Sequence, residues 1–217
     1  MQQILVYSDS ATWGIVPNTR RRLEFEQRWP GVLEMALARQ GRRVRVIEDC
    51  LNGRRTAWED PFKPGRNGLE GLAQRIESHS PLALVVLMLG TNDFQSVHTL
   101  TPFHSAQGIA ALAQEIRRAP IEPGMPVPPV LIIAPPRLGE AKGTMAHKFA
   151  GAARRAEGLA GAYRVVASEL GCDFFDAGSV INVSPLDGIH LDAAEHRTLG
   201  EALATHLERA GTLGPGP

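Results

Sequence analysis

The chain has only two cysteines, Cys50 and Cys172, far apart and without CxxC spacing. This argues against a disulfide scaffold, a redox pair or a zinc knuckle, and both are expected as free thiols. An excess of either charge is also missing, because 23 Lys plus Arg balance 23 Asp plus Glu. There is therefore no global basic field of the kind nucleic-acid binding draws on. The short basic runs Arg20 to Arg22 and Arg54 to Arg55 read as solvated surface. No stretch approaches the roughly 20 apolar residues of a membrane span. The opening MQQILVYS lacks a charged region followed by a long apolar one, and a cytoplasmic location without membrane or nucleic-acid partners is the expectation. No internal repeat is visible. A length of 217 residues suits one domain, expected over 1–210, with a Gly- and Pro-rich tail over 211–217 expected to fray.

What the sequence does contain is an alternation. Short apolar runs at Ile4 to Tyr7, Val44 to Ile47, Leu82 to Leu89, Val130 to Ala134 and Phe174 to Phe175 have the length and Val, Ile and Leu content of strands buried on both faces of a parallel sheet. Between them lie segments with helical spacing. Trp29, Val32, Leu33, Ala36 and Leu37 share one face of a helix expected to end at Gly41, and Ile109, Leu112, Ala113 and Ile116 form a second stripe. Leu69 to Ile76, Ala160 to Leu170 and Ala193 to Leu207 complete the set. Five strands alternating with helices predict an α/β fold with a parallel sheet between helical layers. Pro and Gly concentrate in 52–68, 120–129 and 135–143, loops long enough to serve as lids, binding loops or subunit contacts.

In open α/β sheets ligands bind beyond the carboxyl ends of the strands, so the residues after each run carry the functional information. The first run is followed by Ser8-Asp9-Ser10-Ala11-Thr12-Trp13-Gly14 and the second by Asp49-Cys50-Leu51-Asn52-Gly53-Arg54. The third ends in Gly90-Thr91-Asn92-Asp93, and the last crossover in Asp187-Gly188-Ile189-His190. Each has an ordinary alternative. Ser10 and Asn92 could be turn or cap residues, and Gly53 a glycine with positive φ. Asp187 and His190 could be a cap with an incidental histidine, a pair of metal ligands, or an orienting carboxylate and a general base. The other histidines form no HExxH or similar cluster, which favours the last of these and no metal.

Taken together and in order, the four segments resemble the signature blocks of the SGNH hydrolases, also called the GDSL esterase and lipase family. Ser8-Asp9-Ser10-Ala11 resembles the Gly-Asp-Ser-Leu block, and Gly53, Gly90-Thr91-Asn92-Asp93 and Asp187-Gly188-Ile189-His190 the other three. The likeness runs from residue 4 to about 207. Within the family, DSATWG, LNGRRT, LVVLMLGTND and FFDAGSVI running into DGIHLDAAEHRTLG are most similar to the bacterial arylesterase and acyltransferase branch, which includes ester-perhydrolysing enzymes. The resemblance implies a three-layer α/β/α sandwich with a flavodoxin-like five-stranded sheet in the order 2-1-3-4-5, and a homo-oligomer assembled partly through the long loops. It implies Ser10 as nucleophile, His190 as base and Asp187 as the orienting carboxylate. It assigns the oxyanion hole to the backbone amides of Ser10 and Gly53 and the side-chain amide of Asn92. Two positions depart from the pattern. Ser8 replaces a common Gly and, two residues before the nucleophile in an extended segment, is expected to face the site; Ala11 replaces Leu.

The implied chemistry is physically coherent. A serine hydroxyl needs a base near its proton, histidine titrates in the right range, and a hydrogen-bonded carboxylate fixes the tautomer and stabilises the imidazolium. Asp9 and Ala11 beside the nucleophile, with Trp13, Trp58 and Phe94, are candidates for the substrate pocket, the aromatics having ordinary packing as their alternative. The expected activity is cleavage of short, acetyl-type carboxylic esters through an acyl-enzyme, with transfer to alcohols or peroxide as a variant outcome, a small-molecule ester as partner and no cofactor. A thioesterase or lysophospholipase with the same triad, or a non-catalytic binding module on the same fold, are the alternatives.

Overall fold

The computed structural model describes residues 1–214. Five parallel strands, β1 (Gln2–Ser8), β2 (Val44–Cys50), β3 (Leu84–Met88), β4 (Val130–Ala134) and β5 (Asp173–Asp176), form one sheet in the order β2-β1-β3-β4-β5. The helices are α1 (Ser10–Trp13), α2 (Trp29–Arg39), α3 (Leu72–His79), α4 (Pro102–Arg118), α5 (Ala152–Arg155), α6 (Leu159–Leu170) and α7 (Ala193–Ala210). Strand alternation divides the core in two. Leu5, Tyr7, Val85, Leu87 and Ile132 face α3, α4 and α6, whereas Ile4, Val6, Val86, Leu131 and Ile133 face α2 and α7. Helices therefore cover both sides of β1, β3 and β4, which are wholly buried beyond the first two residues of β1. Burial of each such Val, Leu or Ile contributes about 1.5–3 kcal/mol.

Element ends follow from local chemistry. The apolar run 82–89 yields a shorter strand because the Leu89 carbonyl leaves the ladder to accept from the Tyr163 hydroxyl at 3.1 Å. The stripe expected from Leu69 becomes helical only at Leu72, because Gly71 sits at φ 70° and Leu69 N–H is held by the Asn67 side chain. Strand β2 outlasts its apolar residues, and there Glu48 accepts from Arg28 Nε at 2.9 Å and Nη2 at 2.6 Å.

Helix α2 stops at Arg39, and α6 and α7 end on glycines in the left-handed region, Gly171 and Gly211. At its start, the orphan N–H of Trp29 donates to Nδ1 of His196 on α7 at 3.2 Å. His196 is fully buried, and burial, with Arg28 and His190 nearby, pushes its pKa down to about 3, so it serves as a neutral acceptor.

Part of the tail expected to fray is packed. Leu213 is buried against α2 and α7, and Arg42 donates to the Leu213 carbonyl at 3.0 Å; residues 215–217 lie outside the described residues. The basic loop residues also need correction. Arg54 and Arg55 are buried, not solvated. Arg54 lies 3.8 Å over the Tyr7 ring and pairs with Asp49 at 2.6 Å, so its charge is satisfied without water.

Candidate active site

The carboxyl ends of β1 and β3 and the loops after β2 and β5 meet in one cleft of about 660 Å³, whose lining includes Ser10, Gly53, Asn92, Asp187 and His190. Ser10 opens α1. Asp9 caps that turn, its Oδ1 accepting from Ala11 N–H at 2.9 Å, and Gly14 ends it at φ 85°. The Ser10 hydroxyl is thereby presented at the cleft floor, 3.2 Å from His190 Nε2.

His190 and Asp187 sit on a loop that hydrogen bonds hold at both ends. Ser184 N–H donates to the His190 carbonyl at 2.7 Å and Gly188 N–H to the Ser184 carbonyl at 2.9 Å. Gly188, at φ 75°, lies against the backbone of Glu140, where a side chain has no room. Asp187 Oδ2 lies 2.7 Å from His190 Nδ1, while Oδ1 accepts from the N–H groups of Ile189 and His190, each at 2.9 Å. Burial raises the Asp187 pKa, but the hydrogen bonds from His190 and Ile189 outweigh it and hold the carboxyl below its ordinary range. An ionised Asp187 can only accept, so the imidazole proton resides on Nδ1 and Nε2 is left to accept from the Ser10 hydroxyl.

Asn92 follows β3 after Gly90, whose φ of 121° brings backbone against the Tyr163 hydroxyl. Its Nδ2 donates to Asp9 Oδ2 at 2.9 Å and to the Arg54 carbonyl at 3.1 Å, and its Oδ1 accepts from Gln95 Nε2 at 2.7 Å. Gln95 is in turn held by fully buried Arg55, whose Nη2 donates to Gln95 Oε1 and whose Nη1 donates to the Asn92 carbonyl, both at 2.8 Å. The amide of Asn92 is thus oriented from both ends. Among the described residues, neither Ser10 N–H nor Gly53 N–H donates to another group of the protein, leaving two backbone donors for a ligand in the cleft. Gly53 has φ 87°, a conformation that costs glycine little.

Sequence reasoning missed Gln95, Arg55 and the role of Asp93. Asp93 is buried and accepts from Thr56 N–H at 3.0 Å, Thr56 Oγ1 at 2.7 Å and Ser105 Oγ at 2.6 Å. It ties the loop carrying Gly53 to the end of β3. Burial raises its pKa, partly offset by the bonds from Ser105 and Thr56. Asp9, also buried, is pushed up to about 6 by desolvation, against hydrogen bonds from Ala11 and Asn92 and the charges nearby.

Of the pocket candidates, Trp13 lines the cleft, and Asp9 reaches it only through Asn92. Ala11 is buried beneath the nucleophile in the α2 and α7 core, and Phe94 is fully buried in the opposite core. Trp58 packs edge-on to His104 rather than against the cleft. Aromatic area favoured packing at both of the latter positions. Ser8 does not face the site either. Its hydroxyl donates to the Met88 carbonyl and meets Thr12 Oγ1, both at 2.6 Å, because the chain turns into α1 between residues 8 and 10. The remaining walls come from the loops after β1, β2 and β4, notably Ile15, Met145 and Phe149. The loop 120–129 supplies none of that lining. A second cleft of about 810 Å³ beside β4 and β5 is larger, but contains no paired nucleophile and base.

Comparison with known proteins places the chain in a family and matches its fold. Residues 9–211 match the GDSL-like lipase/acylhydrolase family. The fold superposes on the inhibitor-bound aryl esterase of M. smegmatis with a TM-score of 0.91, at 36% identity over 96% of this chain and 99% of that one. A carbohydrate acetylesterase family member from Sinorhizobium meliloti gives 0.91 at 38% identity, over 99% of this chain and 100% of that one. An arylesterase of Vibrio mimicus is 33% identical over 92 residues, a match spanning 42% of this chain and 38% of that protein.

Proposed function

The chain belongs to the GDSL-like lipase/acylhydrolase family, and from that premise we propose that it is a serine esterase of the aryl- or acetylesterase type, acting on short acyl esters through an acyl-enzyme on Ser10. The observation that carries the proposal is the unbroken relay from Asp187 through His190 to a Ser10 hydroxyl at the floor of an accessible cleft.

The chemistry follows from the contacts. As Ser10 Oγ attacks the ester carbonyl, its proton passes to His190 Nε2, and the imidazolium is stabilised by Asp187 across the 2.7 Å contact. The oxyanion is received by Ser10 N–H, Gly53 N–H and Asn92 Nδ2. Asn92 gives up its longer bond, to the Arg54 carbonyl at 3.1 Å, and keeps the bond to Asp9. Each such donor is typically worth about 3–4 kcal/mol in the transition state. Collapse expels the alcohol, protonated by His190, and leaves the acyl group on Ser10. Water then completes hydrolysis, or an alcohol or peroxide accepts the acyl group where water is excluded.

Trp13, Ile15, Met145 and Phe149 offer apolar wall enough for a small acyl or aryl group, between loops rather than in a tunnel. The proposal includes self-association through the long loops, tested by size-exclusion chromatography with light scattering, where a species of 23.5 kDa alone at micromolar concentration contradicts it. The test is hydrolysis of p-nitrophenyl esters from acetate to dodecanoate by wild type and Ser10→Ala. Activity highest on acetate and abolished by Ser10→Ala is expected; turnover surviving the substitution contradicts the proposal.

A further inference from the structure

The charge lining the cleft is one-sided although the chain as a whole is balanced. Arg20, Lys63 and Lys148 all line it, and all three are exposed at its mouth. The lining contains one carboxylate, Asp187, which is committed to His190. Among the described residues none of the three cations forms a salt bridge or donates a side-chain hydrogen bond. The nearby Asp60 is already engaged, accepting from Phe62 N–H at 3.0 Å and from Arg55 at 3.3 Å. A further cation, Arg66, lies behind Gly53 and is held there by a 3.0 Å bond to the Asn52 carbonyl.

These cations feel one another. The Lys63 pKa is lowered first by burial, then by Arg66, with Arg20 adding to it against Asp60. That of Lys148 is lowered first by burial, with Lys63, Arg55 and Arg66 opposing the single carboxylate of Asp60. Three like charges around one opening raise each other's energy, and a bound anion relieves that repulsion. Apart from these cations and the Asp187–His190 pair the rest of the lining is neutral, with apolar surface from Trp13, Ile15, Met145 and Phe149 alongside short polar side chains, and Ser10 at the floor. The cleft therefore has a cationic mouth and no unpaired carboxylate at its reaction end.

We propose that the substrate is an anionic ester, in which a short acyl ester seated at Ser10 is joined to a carboxylate, sulfate or phosphate that is held at the mouth by Arg20, Lys63 and Lys148. The inference rests on the esterase reading and deepens it. The ester bond is cleaved as above; the anion takes no part in bond changes and acts through binding and encounter. Because the mouth is open to water, its contribution is screened by salt.

The experiment compares release of acetate from 4-acetoxyphenylacetate and from its methyl ester, in which a methylene insulates the leaving phenol from the carboxyl group, with the full-length protein at low ionic strength and in 0.5 M sodium chloride. The ratio of kcat/KM, anionic over neutral, is measured for wild type, Lys63→Glu, Lys148→Glu and the double substitution. In wild type the anionic ester is favoured about tenfold at low salt, through KM, and the preference collapses in high salt. Charge reversal brings the ratio to one or below. Equal kcat/KM for both esters at low salt overturns the inference and leaves the esterase reading standing. A preference that survives both salt and charge reversal overturns the assignment to these side chains. Wild type that turns over neither ester overturns both readings together.

Discussion

Replacing Gln95 with Leu probes whether the orientation of Asn92 matters to the chemistry. The change removes the donor to Asn92 Oδ1 at 2.7 Å and the acceptor for Arg55 Nη2 at 2.8 Å, both buried. Arg55 keeps the Asn92 carbonyl and Asp60, so the charge is weakened rather than orphaned. Losing the bond to the charged donor costs about 2 kcal/mol of stability and the neutral bond to Asn92 about 1 more, together equivalent to a fall of roughly 6–12 °C in Tm for a chain of this size. The effect on catalysis is bounded on both sides. Complete loss of an oxyanion donor costs roughly 10²- to 10³-fold in kcat. Asn92 retains its bonds to Asp9 and Arg54, however, and a flipped amide would set its oxygen against the Asp9 carboxyl. The loss is then nearer one neutral hydrogen bond, about 1 kcal/mol or fivefold in kcat, with KM changed less. The assay is a double-substitution cycle with Asn92→Ala on p-nitrophenyl acetate. In the Asn92→Ala background Gln95→Leu should lower kcat no further. An equal fall in both backgrounds would refute an action of Gln95 through Asn92.

Asp9 makes stability pH-dependent. Between about pH 4 and its folded value of about 6, the native chain holds a proton that the unfolded chain has released, so this contribution to stability falls as pH rises and levels off above that window. Urea unfolding should show Asp9→Asn gaining on wild type from pH 4 to 7; a constant difference contradicts the burial of an ionisable carboxyl there. Ser8→Ala should cost about 1–3 kcal/mol of stability from its buried hydrogen bonds while kcat/KM stays within about threefold, whereas a large activity loss at unchanged Tm would return Ser8 to the site. Asp187→Asn removes the acceptor that fixes the His190 tautomer and should lower kcat by roughly 10⁴-fold, measured on p-nitrophenyl acetate; near-normal turnover contradicts the relay.

The sheet was legible in the sequence because β1, β3 and β4 are buried on both faces and therefore read as unbroken apolar runs, and the four post-strand segments were legible because chemistry constrains their residue types. What escaped was set by tertiary contacts that no local pattern records. Arg55 looks like any loop arginine until the end of β3 supplies two acceptors for it, the Asn92 carbonyl and Gln95 Oε1, beside Asp60 of its own loop. Phe94 and Trp58 sit beside site segments in sequence but turn their rings into packing. Arg20, Lys63 and Lys148 come from three separate loops, so their convergence at the cleft mouth exists only in the fold. Ser8 was misjudged by extending strand alternation across Asp9, where the chain already bends into α1.

The central claim is that Ser10 carries the acyl group. Acid quenching of the protein during turnover of p-nitrophenyl acetate, followed by peptide mass analysis, tests it directly. The account predicts a single acetyl adduct on the peptide containing Ser10, with neither adduct nor turnover in Ser10→Ala; an adduct on another residue, or turnover that persists in Ser10→Ala, contradicts it.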